Sequence, residues 1–462
     1  MSMPDRTAID VDRLRKLANG AVITPNDPDY DEKRKLFYGG IDARPGAVVR
    51  VANATDVAAV LEFAVESGVD FTVRSGGHSV AGHSTTDGGI VIDVRDLGHI
   101  TIDSASRTAS VGSGATAREV SIAAGQHGLG VSFGDTGSVG VGGIALGGGV
   151  GFLLRKYGLT IDSVLAAQIV TADGRILDID EETHPDLFWA IRGGGGNFGV
   201  VTRFKLALNP VDPFVGGILI LPATPDAIEG FVSMSQSAPE NLTTIANVMS
   251  APPMPFLPAD VVGETILMGL LAWAGDADEG TKSMDRFRAL GEPLFDAVDV
   301  MPYSGMYPPE DEDYSPTATA RTGFSDEITP SQVKTFMEAI DGSDAPMSAV
   351  QIRALGGAMA RVPEQATAFA HRDRKFMVNV ASFYESQEAR PTRETWVQDL
   401  ANVMMEGDPS GYIGFLEDEG IDRVRAAYPG GTWDRLREVK AKYDPENIFS
   451  HNQNIPPART PA

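Results

Sequence analysis

Residues 134–151 read GDTGSVGVGGIALGGGVG, with nine glycines in eighteen positions. Each glycine costs a helix about 1 kcal/mol relative to alanine, so this density predicts a loop. Such a loop lets backbone N–H groups crowd against a bound group, and phosphate oxygens suit converging N–H donors. The stretch contains Gly140-x-Gly142-x-x-Ala145, and Asp162 lies further along. That superficially matches a dinucleotide fingerprint, which must follow an apolar strand and open a helix. Here Gly134-Asp135-Thr136-Gly137 precedes the motif and Gly147-Gly148-Gly149 interrupts the would-be helix. A pyrophosphate cradle of another kind fits better than a Rossmann site. A glycine-rich turn without a ligand is the plain alternative.

Working outward, Arg74-Ser75-Gly76-Gly77-His78-Ser79 closes a short strand, 71–74, with two glycines and then a histidine at the lip. Downstream, GGGGNFGVVTRFKLAL (193–208) is a second glycine loop running into a strand. Between and before them the elements are short. A helix is expected within 7–19 and a strand over 47–51. Asn53 or Thr55 caps a helix over about 56–66. A strand at 90–94, hairpins at 100–102/109–111 and 166–171/175–179, and helices at 117–124 and from Asp186 follow. This rhythm predicts an α+β fold rather than a doubly wound sheet. Composition changes at Asn209-Pro210-Val211-Asp212-Pro213, after which glycine loops disappear. The segment PYSGMYPPEDEDYSP (302–316) is too polar and proline-rich for a core element, so it is expected as a mobile or rim loop. A charged helix is expected over 432–441.

Composition excludes several classes. The chain has 462 residues, 38 Lys+Arg against 63 Asp+Glu, and a net charge of −25. An acidic balance argues against nucleic-acid binding and against docking on anionic membranes. Its plain meaning is solubility. Zero cysteines exclude disulfides, thiolate nucleophiles and cysteine-ligated metals. No metal site is expected, because His78 and His83 lack helical spacing and a third ligand. No G-x-S-x-G elbow is present. No apolar window approaches a membrane span and the first twenty residues lack a signal-type apolar core, so a cytoplasmic protein is expected.

Five segments together carry a family resemblance. They are Arg74–Ser79, GVGGIALGGG (140–149), RKYGL (155–159), VTADG (170–174) and DLFWAIRGGGGNFGVV (186–201). The tail adds Lys442-Tyr443-Asp444-Pro445 and Asn452-Gln453-Asn454-Ile455-Pro456. In order and spacing the chain resembles the berberine-bridge-enzyme-like FAD-linked oxidases of the vanillyl-alcohol-oxidase superfamily, and their bacterial members most. The resemblance implies a two-domain fold with an FAD-binding part at 1–210, an antiparallel-sheet substrate domain at 211–420 and a return to the FAD-binding part at 421–462. It implies FAD bound covalently through His78. The place of a second, cysteine link is Thr136, so a single link is expected. It places Ser138 and Val139 at the flavin, Val139 where relatives control oxygen access. Arg74, Ser75, Gly76, Gly77, Ser79, His83, Gly142, Gly143, Gly148, Gly149, Gly199, Val200, Val201, Asn452 and Gln453 are expected to bind the cofactor.

The implied chemistry is hydride transfer from an alcohol or amine carbon of a small metabolite to flavin, with O2 as acceptor and H2O2 as product. The protein's share is position, electrostatics and a base. Tyr428, in AYPGGTWDRL (427–436), matches a position that serves as base in some relatives, although Thr432 and Trp433 depart from the pattern there. A phenol of pKa about 10 needs a cationic neighbour or a strong hydrogen bond for that work, and packing is its plain alternative. Gln351 and Arg353 alternate onto one face of a strand and are candidate catalytic residues. Asn379 and His371 are candidate ligand contacts. A dehydrogenase, an oxygen-inserting flavoenzyme of secondary metabolism and a non-catalytic flavin-binding protein remain alternatives. A monomer or homodimer with a small-molecule substrate is expected.

Overall fold

The computed structural model describes residues 9–311 and 314–459. Its first part holds two small sheets. In the four-stranded sheet, Ala47–Arg50 and Phe71–Arg74 flank Ile90–Asp93 in parallel, and Ala21–Ile23 adds an antiparallel edge. Helix Ala54–Ser67 makes the crossover. It is capped by Asn53, whose side chain accepts from Asp56 N at 2.9 Å. The second sheet is antiparallel, in the order Ile100–Asp103, Thr108–Gly112, Val200–Ala207, Val164–Val170, Ile176–Asp180.

From Phe214 the chain builds a large antiparallel sheet. Its main path runs Phe295–Asp296, Phe214–Pro222, Thr265–Ala274, Leu242–Ser250, Ser348–Ala354, Phe376–Phe383, Ala318–Ser325. Strand alternation sorts its two faces. Val248, Val350, Ile352, Val378 and Val380 pack against helices Pro225–Ser237, Ala277–Arg288, Pro330–Asp341 and Arg390–Met404. On the opposite face the register sets Asn247 opposite Gln351, Gln351 opposite Asn379, and Asn379 opposite Thr322. A row of polar side chains thus crosses four strands.

Residues 424–455 come back to the first part. Trp433, Leu436, Tyr443 and Ile455 join the core formed by Val141, Phe188, Phe198 and Phe204. Lys440, fully buried, ties this return in place. Its ammonium bonds Asp444 at 2.7 Å, Asn197 O at 2.7 Å and Phe449 O at 2.9 Å.

Two expectations are corrected. The glycine-rich stretch is not all loop, since Val141–Gly147 is helical. Tertiary packing overrides propensity here: Val141, Ala145 and Leu146 are buried. The N–H groups of Val141 and Gly142 bond Ala115 O at 2.8 Å and Ser113 O at 3.0 Å. Only glycine fits at 142, where a Cβ would lie 2.8 Å from Ser113 O. Nor is 302–316 entirely a rim loop. Tyr303 and Tyr307 are core residues whose hydroxyls meet at 2.9 Å and donate to Val131 O at 3.1 Å and Gly134 O at 3.0 Å. Among the described residues no helix is long and apolar enough to cross a membrane.

Candidate active site

A cavity of about 450 Å³ opens between the glycine segments and the polar face of the large sheet. One wall is backbone. Ser75, Gly76, Gly77, His78 and Ser79 line it, together with Thr136, Val139, Gly142 and Gly143. Gly199, Val200, Val201, Asn452, Gln453 and His83 complete that side. The loop at 75–79 is pressed tightly on the second segment, since a Cβ on Gly76 would sit 2.3 Å from Gly140 N. Asn197 holds the tail beside it, donating to Gln453 O at 3.1 Å and accepting from Ile455 N at 2.9 Å.

This wall fits a flavin dinucleotide on its own evidence. Among the described residues, the N–H groups of Gly76, Gly77, His78 and Ser79 have no acceptor. Gly77 is buried and the other three are half-buried beside the cavity, so these four donors are available to a ligand. His83 Nε2 and Asn452 Oδ1 are likewise buried without partners. A Cβ on Gly143 or Gly196 would meet no protein atom within 4 Å, although both line the cavity. Those glycines leave room for something other than protein. The donors come from 76–79, whereas the helix in 141–147 spends its first N–H groups on Ala115 O and Ser113 O and the next on Gly140 O.

The other wall is built of side chains. Arg353, 2% exposed, pairs with Asp135 at 2.6 Å, donates through Nε to Gln351 Oε1 at 2.9 Å and through Nη1 to Val150 O at 2.8 Å. Gln351 donates to Asn247 Oδ1 at 2.8 Å. Phe415 lies under the guanidinium at 5.1 Å. Asn379 Oδ1 is buried without a partner. Asp135, 19% exposed, is the single carboxylate among the described cavity residues. Tyr412 closes this end, its hydroxyl accepting from Gly149 N at 2.9 Å, and burial raises its phenol above the ordinary value. Burial also pushes the Tyr38 phenol up to about 12.

At the rim His78 stacks on Phe37 at 4.1 Å, and its Nε2 lies 2.8 Å from Ser138 Oγ. Burial pushes the imidazole down to about 4, against a weaker opposing pull from Glu310 and Asp135. The ring is therefore neutral at pH 7. Ser138 touches His78 without lining the cavity itself.

Several expected site residues lie elsewhere. Tyr428 is buried away from the cavity. Its hydroxyl donates to Gly193 O at 3.1 Å, its ring stacks on Trp433, and burial raises its phenol with no cation beside it. Lying between helices Ile421–Ala426 and Thr432–Tyr443 and buried in the core, it is placed as a packing tyrosine. Arg74 does not line the cavity; its Nη2 pairs with Asp93 at 2.7 Å, and its Nη1 is buried without a partner. Gly148 and Gly149 are packing glycines: a Cβ would lie 2.8 Å from the Tyr412 ring and 1.8 Å from Thr160 Oγ1, respectively. His371 is buried on Phe324, its Nε2 at 2.9 Å from Ala427 O. Asp162, the acidic residue of the apparent fingerprint, is clamped by Arg372 through two 2.7 Å bonds. Sequence reasoning missed Asp135, Phe37, Tyr38 and Tyr412. Asp135 stood inside the decisive stretch; Tyr412-Ile413-Gly414-Phe415 carries no periodicity to mark it.

Fold and cavity define an FAD-binding protein, and comparisons with known proteins agree. The family model described as FAD binding domain matches residues 45–180, and the one described as Berberine and berberine like matches residues 411–456, beginning beside Tyr412. The chain is 31% identical to (R)-6-hydroxynicotine oxidase of Paenarthrobacter nicotinovorans, over 95% of this chain and 97% of that protein. The crystal structure of 6-hydroxy-D-nicotine oxidase from Arthrobacter nicotinovorans superposes with a TM-score of 0.83 at 26% identity, covering 96% and 98% of the two chains. Xylooligosaccharide oxidase from Myceliophthora thermophila shares the fold at a TM-score of 0.83 and 23% identity, covering 97% and 99%. The chain belongs to the berberine-bridge-enzyme-like family of FAD-linked oxidoreductases, and it is an enzyme of that oxidase class.

Proposed function

We propose that this protein oxidises a small alcohol or amine by hydride transfer to FAD joined to the chain through His78. The observation that carries the proposal is the cavity's division. One wall offers unpartnered backbone donors and open glycines, and the other offers Asp135, Arg353, Gln351, Asn379 and Tyr412. FAD supplies the hydride-accepting centre when bound, and dioxygen is the electron acceptor that leaves as hydrogen peroxide. Residues 1–210 and 421–462 hold the cofactor, and 211–420 shape the substrate side. Gly76, Gly77, His78 and Ser79 bind phosphate through their N–H groups. With no cysteine in the chain and threonine at 136, one covalent link is possible at these two places. Val139 leaves the flavin side open to oxygen.

On the substrate side, Asp135 takes the hydroxyl or amine proton. It is a carboxylate held in place by Arg353, whereas burial makes the Tyr412 phenol a poor base at neutral pH. Gln351 and Asn379 bind the substrate's polar edge from the sheet. The nicotine oxidase relative is named for oxidising 6-hydroxynicotine, a compound that carries an amine, which supports amines as one of the two substrate classes.

The test is an absorbance spectrum before and after acid precipitation, then anaerobic mixing with a panel of amines and alcohols. The expected result is yellow colour on the pellet, bleaching by at least one compound, and one peroxide per dioxygen consumed on readmitting air. A colourless protein that takes up no FAD sinks the reading. Bound flavin that no compound bleaches favours a flavin carrier. Bleaching without peroxide favours a dehydrogenase or oxygen-inserting enzyme.

A further inference from the structure

The proline-rich strap after Tyr307 plays no part in the reading above, yet it reaches the back of His78. Glu310 accepts from Ser138 N at 2.9 Å and, through its other oxygen, from the Ser138 hydroxyl. The same hydroxyl oxygen is 2.8 Å from His78 Nε2. The strap is pinned on both flanks. Arg118 Nε donates to Tyr307 O at 3.1 Å, Gly39 N donates to Pro316 O at 2.9 Å, and Ser315 Oγ donates to Phe37 O at 3.1 Å. Phe37 is the ring stacked on His78. One strap therefore supports the imidazole from its edge and from its face.

The bond directions follow from the chemistry of the three groups. A carboxylate has no proton to donate, so the Ser138 hydroxyl proton points at Glu310. Its oxygen then has only lone pairs to offer His78. Nε2 must carry the imidazole proton, and Nδ1 is left as the nitrogen with a lone pair. Among the described residues the imidazole's one hydrogen bond to another side chain is this contact at Nε2, and the Ser138 backbone lies beside the same ring.

We propose that Glu310 is a positioning residue which, through Ser138, holds His78 as the Nε2–H tautomer and leaves Nδ1 free to bond the flavin. The proposal rests on the covalent link proposed above. In that step an N–C bond to the flavin's 8-methyl carbon replaces the imidazole N–H and one methyl C–H. The two protons and two electrons released reduce one dioxygen to hydrogen peroxide. The departing Nε2 proton has a path through Ser138 Oγ to the Glu310 carboxylate.

The experiment uses full-length apoprotein from riboflavin-starved cells, with ¹⁵N-histidine labelling and timed incubation with FAD. In Glu310→Gln the amide oxygen stays on Ser138 N–H and the NH2 group faces Ser138 Oγ. The hydroxyl then turns toward His78, which takes the Nδ1–H form. The expected result is an Nε2–H signal for His78 in the wild type and an Nδ1–H signal in Glu310→Gln. Flavin attachment, read by fluorescence of acid-precipitated protein, slows on the order of tenfold, the usual scale for losing a group that orients a functional histidine. Ser138→Ala slows it similarly, and Ser138→Thr, which keeps the hydroxyl, restores it. An Nδ1–H signal in the wild type, or attachment at wild-type rate in Glu310→Gln, overturns the proposal. A wild type that binds FAD without retaining it on the pellet ends the covalent reading instead. The tautomer comparison still decides the role of Glu310 in that case.

Discussion

The two walls of the cavity are built on different terms. The wall at 75–79 and 195–201 works through backbone, because its glycines let the main chain approach a ligand and leave donors unspent. The facing wall works through side chains, set by strand register in a row from Asn247 to Thr322 and crossed by the Arg353–Asp135 pair. A backbone wall presents the same N–H groups whatever side chains surround it, which suits a fixed cofactor. A side-chain wall changes with each substitution, and on the function proposed above substrate choice resides there.

The largest test of this division strikes the anchor of the backbone wall. Lys440→Met leaves the buried Asp444 without its cation, held only by the Ile448 and Phe449 N–H groups, and the expected loss is about 3–5 kcal/mol of stability, read by urea unfolding. A loss below about 1 kcal/mol means that the tail is not held by this pair. On the facing wall, Arg353→Lys cannot reproduce three directed bonds from one ammonium. Turnover is expected to fall about 10²-fold, about 2.7 kcal/mol, with flavin still bound; loss of flavin as well breaks the division.

Acidity strikes the backbone wall of the apoprotein, through His78 and His83, and the core beyond the cavity, through His371. Burial lowers His78, His83 and His371 from 6.5 to about 4 each. Each is neutral when folded at pH 7, and the unfolded chain binds more protons below about pH 6.5. Stability is therefore full above about pH 6.5 and is lost as pH falls toward 4. The cost at pH 5 is roughly 2 kcal/mol for each histidine, so urea midpoints at pH 7 and 5 should differ plainly. Equal midpoints mean that these rings are solvated. FAD attached at His78 should reduce the pH effect, since that ring then has another partner.

The tyrosines give a smaller and sharper contrast. Tyr428→Phe removes one buried bond to Gly193 O and should cost about 1 kcal/mol of stability with turnover unchanged. Tyr412→Phe changes the cavity itself and should lower turnover. A catalytic defect in Tyr428→Phe and none in Tyr412→Phe reverses the assignment. The smallest effect is at Gly143, where a Cβ meets only open space. Gly143→Ala should stabilise the apoprotein by about 0.5–1 kcal/mol and weaken FAD binding, measured by thermal unfolding and flavin titration. Unchanged FAD affinity would show that the cofactor does not reach this glycine.

Much of the backbone wall was legible in the sequence, because a glycine cluster is a local signal and its spacing is linear. RSGGH and GGGGNFG mark the loops at 74–78 and 193–199 by composition alone, and strand alternation puts Gln351 and Arg353 on one face. Even there local reading had limits. The segment at 134–151 carries the most glycines of these stretches, nine, yet it contains a packed helix whose N–H groups are used within the chain. The expectation for Tyr428 failed because which way a tyrosine faces depends on the helix beside it, here through Trp433.

From its sequence alone this chain declares an α+β flavoprotein of a known family, through glycines whose conformational freedom leaves a mark in linear order. Tertiary structure alone decided that Asp135 meets Arg353 across 218 positions and that Asn379 stands opposite Gln351. It also decided that Glu310 reaches Ser138 from a strap 172 residues away. Charge pairing and hydrogen bonding act over a few ångströms of space, and sheet register and loop packing determine which distant residues share that space.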